Sequence, residues 1–121
     1  MTTDYEYPKV AAGGSIYLCF GVKTIAGEYL VPSDVTAITL NIYELLEPTN
    51  HVSGYYGLSI PASAILSDPL TVQGKTVNFY HNPAHDGLPM FPKRETLYMI
   101  EVVLTDTNGK PSAQTQIVEA V

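Results

Sequence analysis

Residues 95–105, ETLYMIEVVLT, decide the fold. In an extended chain Tyr98, Ile100, Val102 and Leu104 share one face, and Leu97, Met99, Glu101 and Val103 share the other. A stretch that is apolar on one face and mostly apolar on the other reads as a central strand of a two-sheet protein. Asp106-Thr107-Asn108-Gly109-Lys110 ends it. Asn-Gly is the strongest short hairpin signal, because both residues tolerate the positive φ that a tight turn needs. The chain then returns through residues 113–121, carrying Ile117, Val118 and Val121. This long C-terminal hairpin marks an all-β domain.

Further strands lie upstream. Residues 15–22, SIYLCFGV, put Ile16, Leu18, Phe20 and Val22 on one face. Residues 28–31 read as a short strand or ribbon, and residues 35–46 as a longer strand with Ile38, Leu40 and Ile42 alternating against Thr39, Asn41 and Tyr43. Residues 48–54 read as a turn-rich connection, and 55–60, YYGLSI, as a strand weakened by Gly57. Residues 61–66 begin with Pro61, which suits the first position of a helix, and read as one or two helical turns. Strands at 70–72 and 76–81 flank Gln73-Gly74-Lys75. Residues 82–94, NPAHDGLPMFPKR, are the longest irregular segment, and a loop of that length in a compact domain is usually functional. About seven short strands at this spacing imply a β-sandwich, with an eight-stranded jelly roll as the alternative. The order Tyr98-Met99-Ile100 is similar to the tyrosine corner of immunoglobulin-like sandwiches. Ile100 stands where antibody domains place a cysteine, and the chain has no tryptophan.

The chain has 121 residues, which is the size of one domain. Residues 1–14 read as an extended N-terminal arm, because Tyr7-Pro8 disfavours helix and Ala11-Ala12-Gly13-Gly14 forms a joint. Residues 15–121 form the sandwich, expected to stay folded without residues 1–13. The net charge is −6 and the six basic residues are scattered, which argues against a nucleic-acid partner. Cys19 is the single cysteine, so no intrachain disulfide forms; its place in an apolar strand pattern reads as a buried, inert thiol. No apolar run approaches the roughly 18 residues of a membrane span, and the N-terminal residues lack the pattern of an export signal. No membrane partner is expected.

Signals for chemistry are sparse. His81, His85 and Asp86 are the tightest grouping of metal-ligand types, but Pro83 lies between the histidines in a non-helical loop and no further ligand completes a set. No nucleophile elbow, P-loop or dinucleotide fingerprint occurs. No metal, no cofactor and no enzymatic activity are expected. Glu101 is the odd residue, a carboxylate at the centre of the best strand; it reads as partly solvated or paired, with a polar contact across an interface as the alternative. The compositional bias is tyrosine: nine Tyr against three Phe. Tyrosine is enriched at protein interfaces. Tyr5, Tyr7, Tyr55 and Tyr56 lie outside the core pattern, and with Leu88, Met90 and Phe91 of the long loop they are expected to supply an exposed protein-contact surface.

The run SIYLCFGVKTIAGEYLVPSDVTAITLNIYE, followed by LYMIEVVLTDTNGKPSAQTQIVEAV, resembles the small immunoglobulin-like virion proteins of tailed bacteriophages. The likeness lies in an opening strand at residues 14–20, the P-S-x-V-T-x-I-T-x-x-I strand at 32–42, and the closing Tyr-bearing strand, polar turn and final strand. It implies a head decoration (cementing) protein, or a neck or tail accessory protein. Such a protein is non-enzymatic, assembles in the host cytoplasm, resides in the virion, and binds the major capsid protein or other virion proteins by broad surfaces. A homo-oligomer fits the same picture. A carbohydrate- or host-surface-binding β-sandwich module is the alternative.

Overall fold

The computed structural model describes residues 7–121. Its framework strand is Thr96–Asp106, paired on one edge with Val35–Glu44 and on the other with Pro111–Ala120. In chain order the strands are β1 (Lys9–Val10), β2 (Leu18–Phe20), β3 (Val35–Glu44), β4 (His51–Ser59), β5 (Ile65–Val72), β6 (Lys75–His81), β7 (Thr96–Asp106) and β8 (Pro111–Ala120). They form a five-stranded sheet, β1-β8-β7-β3-β4, and a three-stranded sheet, β2-β6-β5. The protein is an all-β sandwich. Its connectivity is the immunoglobulin-like one: the second, sixth and fifth strands make one sheet, and the third, seventh and eighth, with an extra edge strand β4, make the other. β1 adds itself parallel to β8.

The inward rows follow the alternation. Tyr98, Ile100, Val102 and Leu104 of β7 are buried, as are Ile38, Leu40 and Ile42 of β3, Leu18 of β2, and Ile65 and Phe79 of β5 and β6. The rings of Phe20 and Phe79 stack at 4.4 Å. The tyrosine corner is present: the buried Tyr98 hydroxyl accepts a hydrogen bond from the Lys93 N–H at 2.9 Å. Burial raises the pKa of this phenol above its ordinary value of 10.0.

The local elements bear out some expectations and correct others. The expected helical turn within residues 61–66 is a 3-10 turn, Ala62–Ala64, and it is short because Ile65 already belongs to β5, opposite Phe79, with its side chain in the core. Residues 28–31 take the ribbon form: one antiparallel bridge, Lys23 to Tyr29, flanked by the Thr24 N–H donating to Glu28 O and the Leu30 N–H to Val22 O. β4 begins at His51, inside the segment read as a turn. The expected C-terminal hairpin closes through a three-residue loop, Thr107-Asn108-Gly109, in which Gly109 alone has positive φ, at 78°. Asp106 fixes the turn, its Oδ1 accepting from the Asn108 N–H at 2.8 Å and the Lys110 N–H at 2.9 Å.

Among the described residues, the arm from Pro8 to Gly14 is built into the domain. The Glu119 N–H donates to Pro8 O, the Val121 N–H to Val10 O, and the Ala12 N–H to Val121 O. The Gly13 N–H donates to Phe91 O, and Val10 and Ala12 pack against the core. The three-stranded sheet is narrower than its partner. It leaves the inner face of the first half of β8 uncovered, where Gln114 and Gln116 border a side opening of about 250 Å³ floored by Leu18, Phe20, Ile100 and Val102.

Two outcomes follow. Tyr98→Phe leaves the Lys93 N–H without its acceptor and lowers stability by about 1–3 kcal/mol in a denaturant titration. Deleting residues 1–13 lowers the melting temperature, because it strips backbone bonds from both β8 and the long loop; an unchanged melt would mean that those bonds are marginal.

Candidate contact surface

β4 carries the first local decision. Leu58 faces inward opposite Leu40, but Tyr56, two residues earlier, lies opposite the outward-facing Asn41. The register shift at Gly57 changes which side of the sheet each side chain meets. Tyr55 therefore points into the core, fully buried, and Tyr56 points out, 50% exposed. The Gly57 N–H donates to Asn41 Oδ1 at 2.8 Å, so a side chain completes the ladder at the bulge.

The sequence-predicted contact residues separate accordingly. Tyr5 lies outside the described residues. Tyr7 is partly buried beside β8 and borders a depression of about 510 Å³ that includes Glu44, Glu47, Glu95 and Glu119. Tyr55, Met90 and Phe91 are fully buried, which corrects the expectation that they supply exposed surface. The long loop folds back across the end of the sandwich, and its apolar side chains fill the space between the sheets. The Tyr55 hydroxyl donates to Leu88 O at 2.7 Å and accepts from the His85 N–H at 3.3 Å. The Phe91 ring packs on Tyr98 at 5.6 Å. Leu88 is partly buried and seated over Gly54, where an added Cβ would collide with its Cδ1. Among the described members of that set, Tyr56 is the side chain left well exposed.

His85 belongs to this loop clamp: its ring meets Tyr55 edge-on at 4.9 Å and its Nδ1 lies 3.0 Å from Pro83 O. His81 ends β6, and burial lowers its pKa. Among the described residues no group of three or more His, Cys, Asp or Glu side chains is placed to hold a metal ion. Cys19 is free and partly exposed, not buried, because Leu18 beside it takes the inward position. At the hairpin end, a depression of about 550 Å³ is bordered by Lys23, Ile25, Asp34, Asp106 and Lys110. Its two carboxylates are committed locally, Asp34 to the Val31 N–H and Asp106 to its own turn.

What the registers do assemble is the outer face of the five-stranded sheet. Three rows cross it: Ala113, Val103, Thr39 and Ser59; Thr115, Glu101, Asn41 and Tyr56; and Ile117, Met99, Tyr43 and His51. Val103, Met99, Ile117 and Tyr43 are partly exposed. His51 stacks flat on Tyr56, with ring centroids 3.5 Å apart, and Tyr43 meets Tyr56 edge-on at 6.5 Å. Glu101 sits at the centre, its Oε1 accepting from Asn41 Nδ2 at 3.0 Å. The ion pairs among the described residues are Lys9–Glu119 at 3.1 Å and Lys93–Glu44 at 2.9 Å, and neither includes Glu101. The pKa of Tyr43 is raised, first by burial and then by the negative charge of Glu101 and by Tyr56.

Sequence reasoning missed Tyr43, Met99, Val103 and Ile117 as surface. For Met99 and Val103 the signal is the second apolar face of β7, which by sequence reads as burial between sheets. No family model, curated protein or solved structure matches the chain. Among the described residues no helix is long and apolar enough to cross a membrane.

Glu101→Gln removes the charge beside Tyr43, so the Tyr43 phenol moves down toward its ordinary value of 10.0 in an NMR titration of labelled tyrosines. In the wild-type chain the neutral phenol is favoured on folding. That contribution to stability is intact below pH 10.0 and is lost as pH rises through the raised value. An unmoved Tyr43 titration would remove the coupling to Glu101.

Proposed function

We propose that the protein is a non-enzymatic structural component of a tailed-phage particle, held on a capsid, neck or tail lattice through the outer face of its larger sheet. The observation that carries this reading is the three-row outer face, with Met99, Val103, Ile117 and Tyr43 partly open to solvent on rigid central strands. A rigid strand array presents such a surface at little entropic cost, and aromatic and methionine side chains are enriched where proteins meet. The immunoglobulin-like connectivity and the tyrosine corner agree with the resemblance to small phage virion proteins. In a lattice each copy needs only modest affinity, because many copies act together on a particle.

Quantitative mass spectrometry of purified particles of the phage that carries the chain tests this reading. The expected result is many copies per particle. The double variant Met99→Glu, Ile117→Glu should stay folded by circular dichroism, since both side chains point outward, and should lose occupancy by about a hundredfold. Particles without the chain, or full occupancy by the folded double variant, would overturn it. The second reading, a carbohydrate-binding module, draws on the half-exposed Tyr56 ring. A glycan-array signal abolished by Tyr56→Ala would favour it.

A further inference from the structure

We infer that Glu101 is the charged anchor of this contact surface, and that the partner is a protein surface presenting a lysine or arginine within an apolar surround. The inference rests on the contact reading above and adds the chemistry of the partner.

Glu101 occupies the middle of the middle row, with Thr115 on one side and Asn41 and Tyr56 on the other. The rows above and below it are mainly apolar or aromatic: Val103 and Ala113, then Met99, Ile117 and Tyr43. Covering this face with an apolar surface alone would strip water from a carboxylate and give nothing back, which is costly. Among the described residues neither ion pair of the chain involves Glu101, so the compensating positive charge has to come from the partner.

The carboxylate is also held in place. Asn41 donates through Nδ2 to Glu101 Oε1 at 3.0 Å, while its Oδ1 accepts from the Gly57 N–H at 2.8 Å. The backbone bond fixes which way the amide points, and the amide fixes the carboxylate. Oε1 is thereby engaged, and Oε2 is left for an incoming donor. A charge already oriented on a stiff strand loses little freedom when a basic side chain docks.

A second copy of this chain fits the face poorly. Pairing two such faces about a two-fold axis through their centres brings Glu101 near its own equivalent, and like charges meeting at an interface are disfavoured. The net charge of −6 points the same way, favouring approach of a basic partner and disfavouring self-association.

The test compares wild type, Glu101→Gln and Glu101→Arg on phage particles depleted of the chain, with Asp68→Asn on the smaller sheet as a control for net charge. Glu101→Gln keeps the Asn41 bond and should fold normally, yet weaken binding about tenfold, and Glu101→Arg about a hundredfold or more. Asp68→Asn should bind like wild type. Binding of Glu101→Arg equal to wild type overturns the inference and leaves the contact reading standing. Absence of binding by wild type removes that reading and the inference together. A wild-type dimer in sedimentation that Ile117→Glu dissociates also overturns it, because the face would then belong to a second copy.

Discussion

Everything in this molecule depends on β7 being hydrogen-bonded along both edges while its two faces meet different surroundings. Backbone pairing to β3 and β8 holds its register over the whole strand. One row of side chains then has only the core to enter, and Tyr98, Ile100, Val102 and Leu104 fill it. The other row has no second sheet above it. Because a one-residue slip would exchange the rows, the inner packing that stabilises the fold also sets the position of every outward residue. The outer rows are therefore a by-product of the core's register, and the carboxylate at their centre stands on a strand paired along both edges.

The fold was legible in the sequence because its main strands obey a local rule. Alternation at Leu18 and Phe20, at Ile38, Leu40 and Ile42, and along β7 survives intact in the structure. The tyrosine corner was readable for the same reason, since Tyr98 lies two positions before an inward residue on the same strand. The surface was harder to read, because its determinants are tertiary. Uninterrupted alternation from Ile60 and Leu58 would send Tyr56 inward and leave Tyr55 outside. The shift at Gly57 reverses this, and no local pattern announces it. Met90 and Phe91 lie in a proline-rich irregular segment, which by composition reads as an exposed loop. Their burial follows from the loop closing the end of the sandwich, where the space between the sheets is open.

The same closure explains how a chain with no disulfide and one free thiol holds a long irregular segment in place. Tyr55 clamps it from β4, through Leu88 and His85. Tyr98 grips it near its far end at Lys93. The N-terminal residues Gly13 and Gly14 bond to Phe91 and Met90 along its length. Three parts of the chain distant in sequence thus share one plug, and buried phenols do the work that cross-links perform in other small domains.

The uneven width of the two sheets has a further consequence for solubility. Wherever the smaller sheet stops short, the sandwich presents unfinished strand borders of the kind that templates fibrous self-assembly. Here β2 is only three residues long, β8 begins with Pro111, which has no N–H to offer, and the uncovered inward positions are Gln114 and Gln116 rather than aliphatic ones. A short, proline-started, amide-lined border gives a neighbouring strand little to zip onto.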